Sequence, residues 1–193
     1  DSIYDEHVLK AAVENGVEAI EVGSALLDSL VENFASPSPR SVILTGTAGD
    51  GKTWHCRKVF TSLGGSTAAW NASQGLAELD LPGGKRMVVV KDLSQFHEDP
   101  RQDEIFEGLV KSILGHETST CYLVAANDGQ LLRFWRRHLD KGDDVHKIDR
   151  GIRTMLDKGE VELPGLNLSL HNLSAQEYDK LFATAFPGLN ESL

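Results

Sequence analysis

Residues 46–53 read Gly-Thr-Ala-Gly-Asp-Gly-Lys-Thr, a combination suited to one kind of chemistry, the holding of phosphate. Glycines at 46, 49 and 51 let a tight turn point backbone N–H groups inward, where side chains would block a polyanion. Lys52 adds a cation that can reach the outer phosphates, and the Thr53 hydroxyl can ligate Mg²⁺. The spacing G-x-x-x-x-G-K-T, with an apolar run before it and helical character after it, is that of a phosphate-binding loop. The residues expected to hold a nucleoside triphosphate are therefore Gly46, Thr47, Ala48, Gly49, Asp50, Gly51, Lys52, Thr53 and Trp54. Asp50 is out of character, because a carboxylate repels a triphosphate. It is expected to act as a turn former with its side chain in solvent.

Two polar residues end later apolar runs. Asp92 follows Arg86 to Lys91 and is expected to hold Mg²⁺ together with Thr53. Asn127 follows Cys121 to Ala126, where an amide beside the terminal phosphate could position water. The alternative for Asn127 is a helix cap, but that role is expected to fall to Asp128. Lys52, Asp92 and Asn127 form the expected catalytic set, and Thr53 and Asp92 the metal-linked pair. His55 is expected on a helix face within reach of base or ribose.

Arg133, Arg136 and Arg137, with Arg150 and Arg153, are candidates to stabilise transition-state charge on a neighbouring subunit's nucleotide. The first three also mark a place where a nucleic-acid backbone could dock, although Asp140, Asp143, Asp144 and Asp149 nearby oppose it. None of the seven histidines shows metal-ligand spacing, and no Ser-His-Asp signature is present.

The elements that must position these residues alternate. Residues 1–35 read as a helical lead-in, broken near Gly16 and ended by Ser36-Pro37-Ser38-Pro39. Ser41 to Thr45 is a β-branched strand, Thr53 to Leu63 a helix, and Thr67 to Trp70 a second strand. Residues 71–86 read as a surface excursion. Strands at Arg86 to Lys91 and Cys121 to Ala126 are apolar on consecutive residues, as buried parallel strands are, and Leu166 to Leu170 is a last strand. Helices are expected from Gln102 to Leu114, Leu131 to Leu139 and Ile148 to Leu156. Ser174 with Glu177 makes a capping box opening a last helix, the start of a lid over 174–193. The pattern is α/β, one doubly wound domain over 1–193.

The 193 residues suffice for one core. Nineteen basic against 29 acidic residues leave a net charge of −10, which excludes a surface basic all over. Cys56 and Cys121 lack zinc or disulfide spacing and fit a reducing cytoplasm. No apolar run approaches the roughly 20 residues of a membrane helix, so no membrane partner is expected. A start at Asp1 and a new helix near the end suggest a piece of something larger.

In order, GTAGDGKT, MVVVKD, CYLVAAND and LNLSLHNLS resemble the AAA+ and STAND branch of P-loop ATPases over roughly residues 15–186. The resemblance implies a P-loop NTPase three-layer sandwich, a parallel sheet of five strands ordered 5-1-4-3-2, and ATP with Mg²⁺. It also implies ring or clustered assembly, with Lys52, Thr53, Asp92 and Asn127 in the lysine, Mg²⁺, Walker B and sensor roles. Leu93 departs from it, since many such ATPases place a water-orienting glutamate there; Glu98 or Asp99 would have to substitute. GTAGDGKT with KDLS is similar, more narrowly, to ATPases of prokaryotic DNA-defence systems, including those of DNA phosphorothioation-dependent restriction. That likeness implies protein partners and DNA reached through a larger complex. The expected function is an ATPase driving conformational change; a switch that binds ATP with little hydrolysis is the alternative. A small-molecule kinase fits less well, because no arginine-rich acceptor lid is evident.

Overall fold

A computed structural model describes residues 22–174. The expected break at Gly16, the Ser174–Glu177 capping box and most of the lid segment lie outside the described residues.

The first helix, α1 (Val22–Ala35), ends where prolines 37 and 39 cannot continue it. Asn33 staples the turn that follows. Its side-chain amide donates to Arg40 O at 2.9 Å, and its Oδ1 accepts from Arg40 N at 3.0 Å. The chain is thereby delivered straight into β1 (Ser41–Thr45), every residue of which is buried. After the glycine loop come α2 (Lys52–Ser62) and α3 (Thr67–Ala72), then β2 (Leu76–Leu81) and β3 (Lys85–Val90). The second half runs α4 (Gln102–Ile113), β4 (Thr120–Ala125), α5 (Asp128–Arg136), α6 (Asp143–Lys158) and β5 (Leu168–Asn172).

Across the sheet the order is β2-β3-β4-β1-β5. β1 pairs in parallel with β4 and β5, and β3 in parallel with β4. Counted from the β5 edge the numerals run 5-1-4-3-2, but the strand numbered 2 is not the expected segment. Thr67 to Trp70 is helical: the Ser66 hydroxyl caps it by accepting from Ala69 N at 3.0 Å, and alanines at 68 and 69 favour the helix. Trp70 packs against Phe60 with ring centroids 5.6 Å apart. The second strand comes instead from the expected surface excursion and is antiparallel to β3, so the sheet is mixed rather than wholly parallel. Pro82-Gly83-Gly84 turns the hairpin, with φ of +76° and +74° at the two glycines, a region that L side chains rarely occupy. At this edge Glu78 is exposed and paired with Arg86 at 3.1 Å, while Ala77 and Leu81 turn inward.

Side chains alternate along each strand and sort into two cores. Val42, Leu44, Met87, Val89, Cys121 and Leu123 face α1, α2 and α3, packing on Leu30, Phe34, Val59, Phe60 and Trp70. Ile43, Val88, Val90, Tyr122, Val124 and Leu168 face α4, α5 and α6, packing on Ile105, Phe106, Phe134, Trp135 and Ile152. The fold is thus helices, sheet, helices, with about 1.5–3 kcal/mol from each large side chain fully removed from water. Both cysteines are free and buried, and burial pushes each thiol up to about 12. No described helix is long and apolar enough to cross a membrane.

Candidate functional site

The glycine loop leaves the C-terminal end of β1, the strand flanked by β4 and β5. Gly46, Gly49 and Gly51 have φ of +138°, +88° and +82°, so the turn depends on residues without a Cβ at all three places. Gly51 is the N-cap of α2, which puts Lys52 and Thr53 in its first turn with no acidic neighbour there. Both are buried, 8% and 6% exposed. The Lys52 ammonium donates to the Thr47 carbonyl across the loop. Thr47, Ala48 and Gly49 are exposed, and Trp54 is half-buried with its ring edge-on to His55.

Asp50 is half-buried, with its carboxylate turned onto the loop. Its carboxylate accepts from the Thr47 N–H, from the Thr47 hydroxyl at 3.0 and 3.1 Å, and from the Ser174 hydroxyl. The local cause is a donor three residues back in a tight turn; the tertiary one is Ser174, brought over by the chain leaving β5. His55 lies on α2, as expected. It is buried, and its Nδ1–H donates to the Gly51 carbonyl at 2.8 Å, which directs the ring to the loop's own backbone.

Because β1, β4 and β3 are parallel neighbours, the loop, Asn127 and Asp92 all follow the C-terminal ends of these strands, with Asn127 after the middle one. Their side chains are locally engaged. Asp92 Oδ1 accepts from Ser94 N at 2.9 Å and Ser94 Oγ at 2.7 Å, capping a short 3₁₀ turn. Asn127 is the N-cap of α5: its Oδ1 accepts from Gln130 N at 2.8 Å, and Gln130 Oε1 accepts from Asn127 N at 3.3 Å. The cap is therefore Asn127 rather than Asp128. Asp128 instead accepts from the Thr45 hydroxyl, tying the start of α5 to the root of the glycine loop. Sequence reasoning missed this tie and that of Ser174; each joins residues far apart in the chain.

Leu93, one residue past Asp92, is 4% exposed and belongs to the core. Both proposed substitute carboxylates lie beside basic side chains of their own loop. Asp99 chelates the Arg101 guanidinium, whose hydrogen bonds pull its carboxyl down to about 2, and Glu98 lies 4.0 Å from His97 Nδ1. Among the arginines, Arg153 pairs with Asp149 at 2.9 Å one helical turn earlier. Arg133 and Arg137 line a groove of about 110 Å³ with Ser94, His97, Gln102 and Gln130, and Arg137 donates to His97 Nε2. No group of three or more His, Cys, Asp or Glu side chains among the described residues could hold a metal ion. An Mg²⁺ ion that arrives with a triphosphate would take most of its ligands from phosphate and water and would not require such a group.

His171, on β5 opposite Leu44, lies beside the loop's foundations. Burial lowers its pKa, Glu162 opposes that, and His55 adds to it. A histidine whose folded pKa is depressed binds its proton more readily when unfolded, so its share of stability is present above about pH 6.5 and lost as pH falls. Urea unfolding midpoints should therefore drop between pH 7.5 and 5.5, with a smaller drop in His171→Asn; equal slopes in both proteins would refute this.

Comparison with protein-family models and with curated proteins gives no match to this chain.

Proposed function

We propose that this chain is a P-loop ATPase domain that binds ATP with Mg²⁺ and couples it to conformational change in a larger assembly. The observation that carries the proposal is the turn between β1 and α2: three glycines at positive φ, followed by buried Lys52 and Thr53 at the helix start. Backbone N–H groups and the helix dipole favour an anion there, and Lys52 has only to leave a carbonyl to meet one. Thr53 and Asp92 would hold Mg²⁺, which when bound would supply charge neutralisation at the phosphates. Asn127 orients water through its amide NH₂, the half of the side chain that the cap leaves uncommitted. The placement of β1 between β4 and β5 supports the same reading. The resemblance of GTAGDGKT and KDLS to DNA-defence ATPases supports protein partners, self-assembly and DNA met through the complex. One observation favours the alternative of a switch with little turnover: Leu93 is core where a water-orienting carboxylate would stand.

The test is direct ATP binding alongside steady-state hydrolysis with Mg²⁺, with and without DNA. Binding with turnover is the expected result, and binding without turnover selects the switch. No binding would overturn both. Asn127→Asp separates roles, because aspartate also caps a helix but lacks the NH₂. At saturating ATP, turnover should fall at least about tenfold with the unfolding midpoint nearly unchanged, while the added carboxylate weakens ATP binding by repelling the terminal phosphate; unchanged turnover would return Asn127 to capping alone.

A further inference from the structure

We propose that Asp50 and Ser174 form an internal latch on the phosphate-binding loop, in which the Asp50 carboxylate takes the Thr47 amide that a nucleotide phosphate would take. The consequence for nucleotide affinity rests on the function proposed above; the latch as a contact does not. Thr47 N–H donates both to Asp50 Oδ2 and, at 2.9 Å, to Ser174 Oγ. The Ser174 hydroxyl in turn donates to Asp50 Oδ2, and the Thr47 hydroxyl lies 3.0 Å from the same oxygen. Amide, carboxylate and serine hydroxyl thus close a triangle across the loop.

A carboxylate in this position resembles a phosphate oxygen in charge sign and in acceptor chemistry. One backbone N–H cannot serve both at full strength, and two anions in one glycine turn repel each other. Phosphate entry therefore requires Asp50 to swing out, which removes the acceptor of Ser174. Leu173, the residue before Ser174, is buried in the core directly after β5, so the serine is aimed at the loop from a fixed base. Gly46 shows how closely the parts fit. A Cβ there would sit 2.5 Å from Asp50 Oδ2 and 2.9 Å from Ser174 Oγ, so only glycine leaves room for the pair. Binding at the loop and attachment of the segment after β5 are thereby linked, and linkage is reciprocal: whatever draws Ser174 away favours nucleotide, and nucleotide frees Ser174.

Two readouts on the full chain test the latch. In the protein alone, exchange of the Thr47 amide hydrogen, followed by NMR, should be about tenfold faster in Asp50→Asn and in Ser174→Ala than in the parent. In titrations with Mg²⁺ and ATP, Asp50→Asn should bind about tenfold tighter and Ser174→Ala about threefold tighter. The double variant should bind at least as tightly as Asp50→Asn and gain less over it than the threefold of Ser174→Ala alone, since part of the serine's hold is exerted through Asp50 and part directly on the Thr47 amide. Unchanged exchange overturns the contact, and unchanged or weaker ATP affinity in Asp50→Asn overturns its inhibitory role. Lys52→Ala separates the two proposals. If it loses ATP while Asp50→Asn gains nothing, the latch fails and the nucleotide site stands; if it binds ATP like the parent, the nucleotide site fails and amide exchange alone decides the contact.

Discussion

Lys52→Ala is expected to lose ATP binding by at least about a hundredfold, equivalent to about 3 kcal/mol, with little change in fold stability. Lys52 is the cation of the glycine loop, at the start of α2, and its ammonium already points across the turn to the Thr47 carbonyl. Moving that group from a carbonyl to a phosphate exchanges a neutral acceptor for a charged one, which roughly doubles the hydrogen bond. Alanine is the best helix former and leaves the first turn intact, while Thr47 O lies in an exposed residue that water can reach. Loss of binding should therefore come with an unfolding midpoint shifted by no more than about 1 kcal/mol. Titration with a fluorescent ATP analogue and Mg²⁺, paired with urea unfolding, measures both quantities. Parent-like affinity would remove Lys52, and with it the loop, from the nucleotide site.

What the sequence makes legible follows the range of the interactions. β1, β3 and β4 stand out because a strand covered on both faces must be apolar on consecutive residues, as Met87 to Val90 and Cys121 to Ala125 are, and β5 shows through the alternation of Leu166, Leu168 and Leu170. β2 hides because it is an edge strand: Glu78 and Asp80 interrupt Ala77, Leu79 and Leu81, and only Pro82-Gly83-Gly84 hints at the hairpin. Thr67 to Trp70 misleads in the opposite sense, since threonine and tryptophan suit a strand while Ser66 and two alanines set a helix. The glycine loop is legible because its chemistry lies within eight residues. The positions of Asp92 and Asn127 at strand ends follow from the same apolar runs. The cap at Asn127 is legible as the alternative to a site role, whereas the bonds of Asp92 with Ser94 show only in the fold. The contacts of Thr45 with Asp128 and of Thr47 with Ser174 span 83 and 127 positions, and only the folded sheet brings such residues together.

Leu93→Glu is expected to destabilise the domain by about 3–5 kcal/mol and to add no ATPase activity. Placing glutamate after the strand-end aspartate would be the obvious way to complete a water-orienting pair, and in sequence nothing argues against it. The backbone does. Asp92 is in extended conformation and caps the 3₁₀ turn Leu93–Phe96, which turns the Leu93 side chain into the core with Phe96, Ile105 and Phe134 rather than toward the loop after β1. A carboxylate at that position would be ionised among apolar groups, or protonated and short of partners, and either outcome opposes folding. Leu93→Met keeps the volume and should cost less than about 1.5 kcal/mol, so the two variants separate charge from shape. Urea midpoints and steady-state turnover measured on both, at concentrations where the glutamate variant remains folded, decide the matter. A folded Leu93→Glu protein with raised turnover would mean that this position faces the nucleotide after all; a large midpoint loss without turnover would mean that hydrolysis must draw its base from another residue or from a partner.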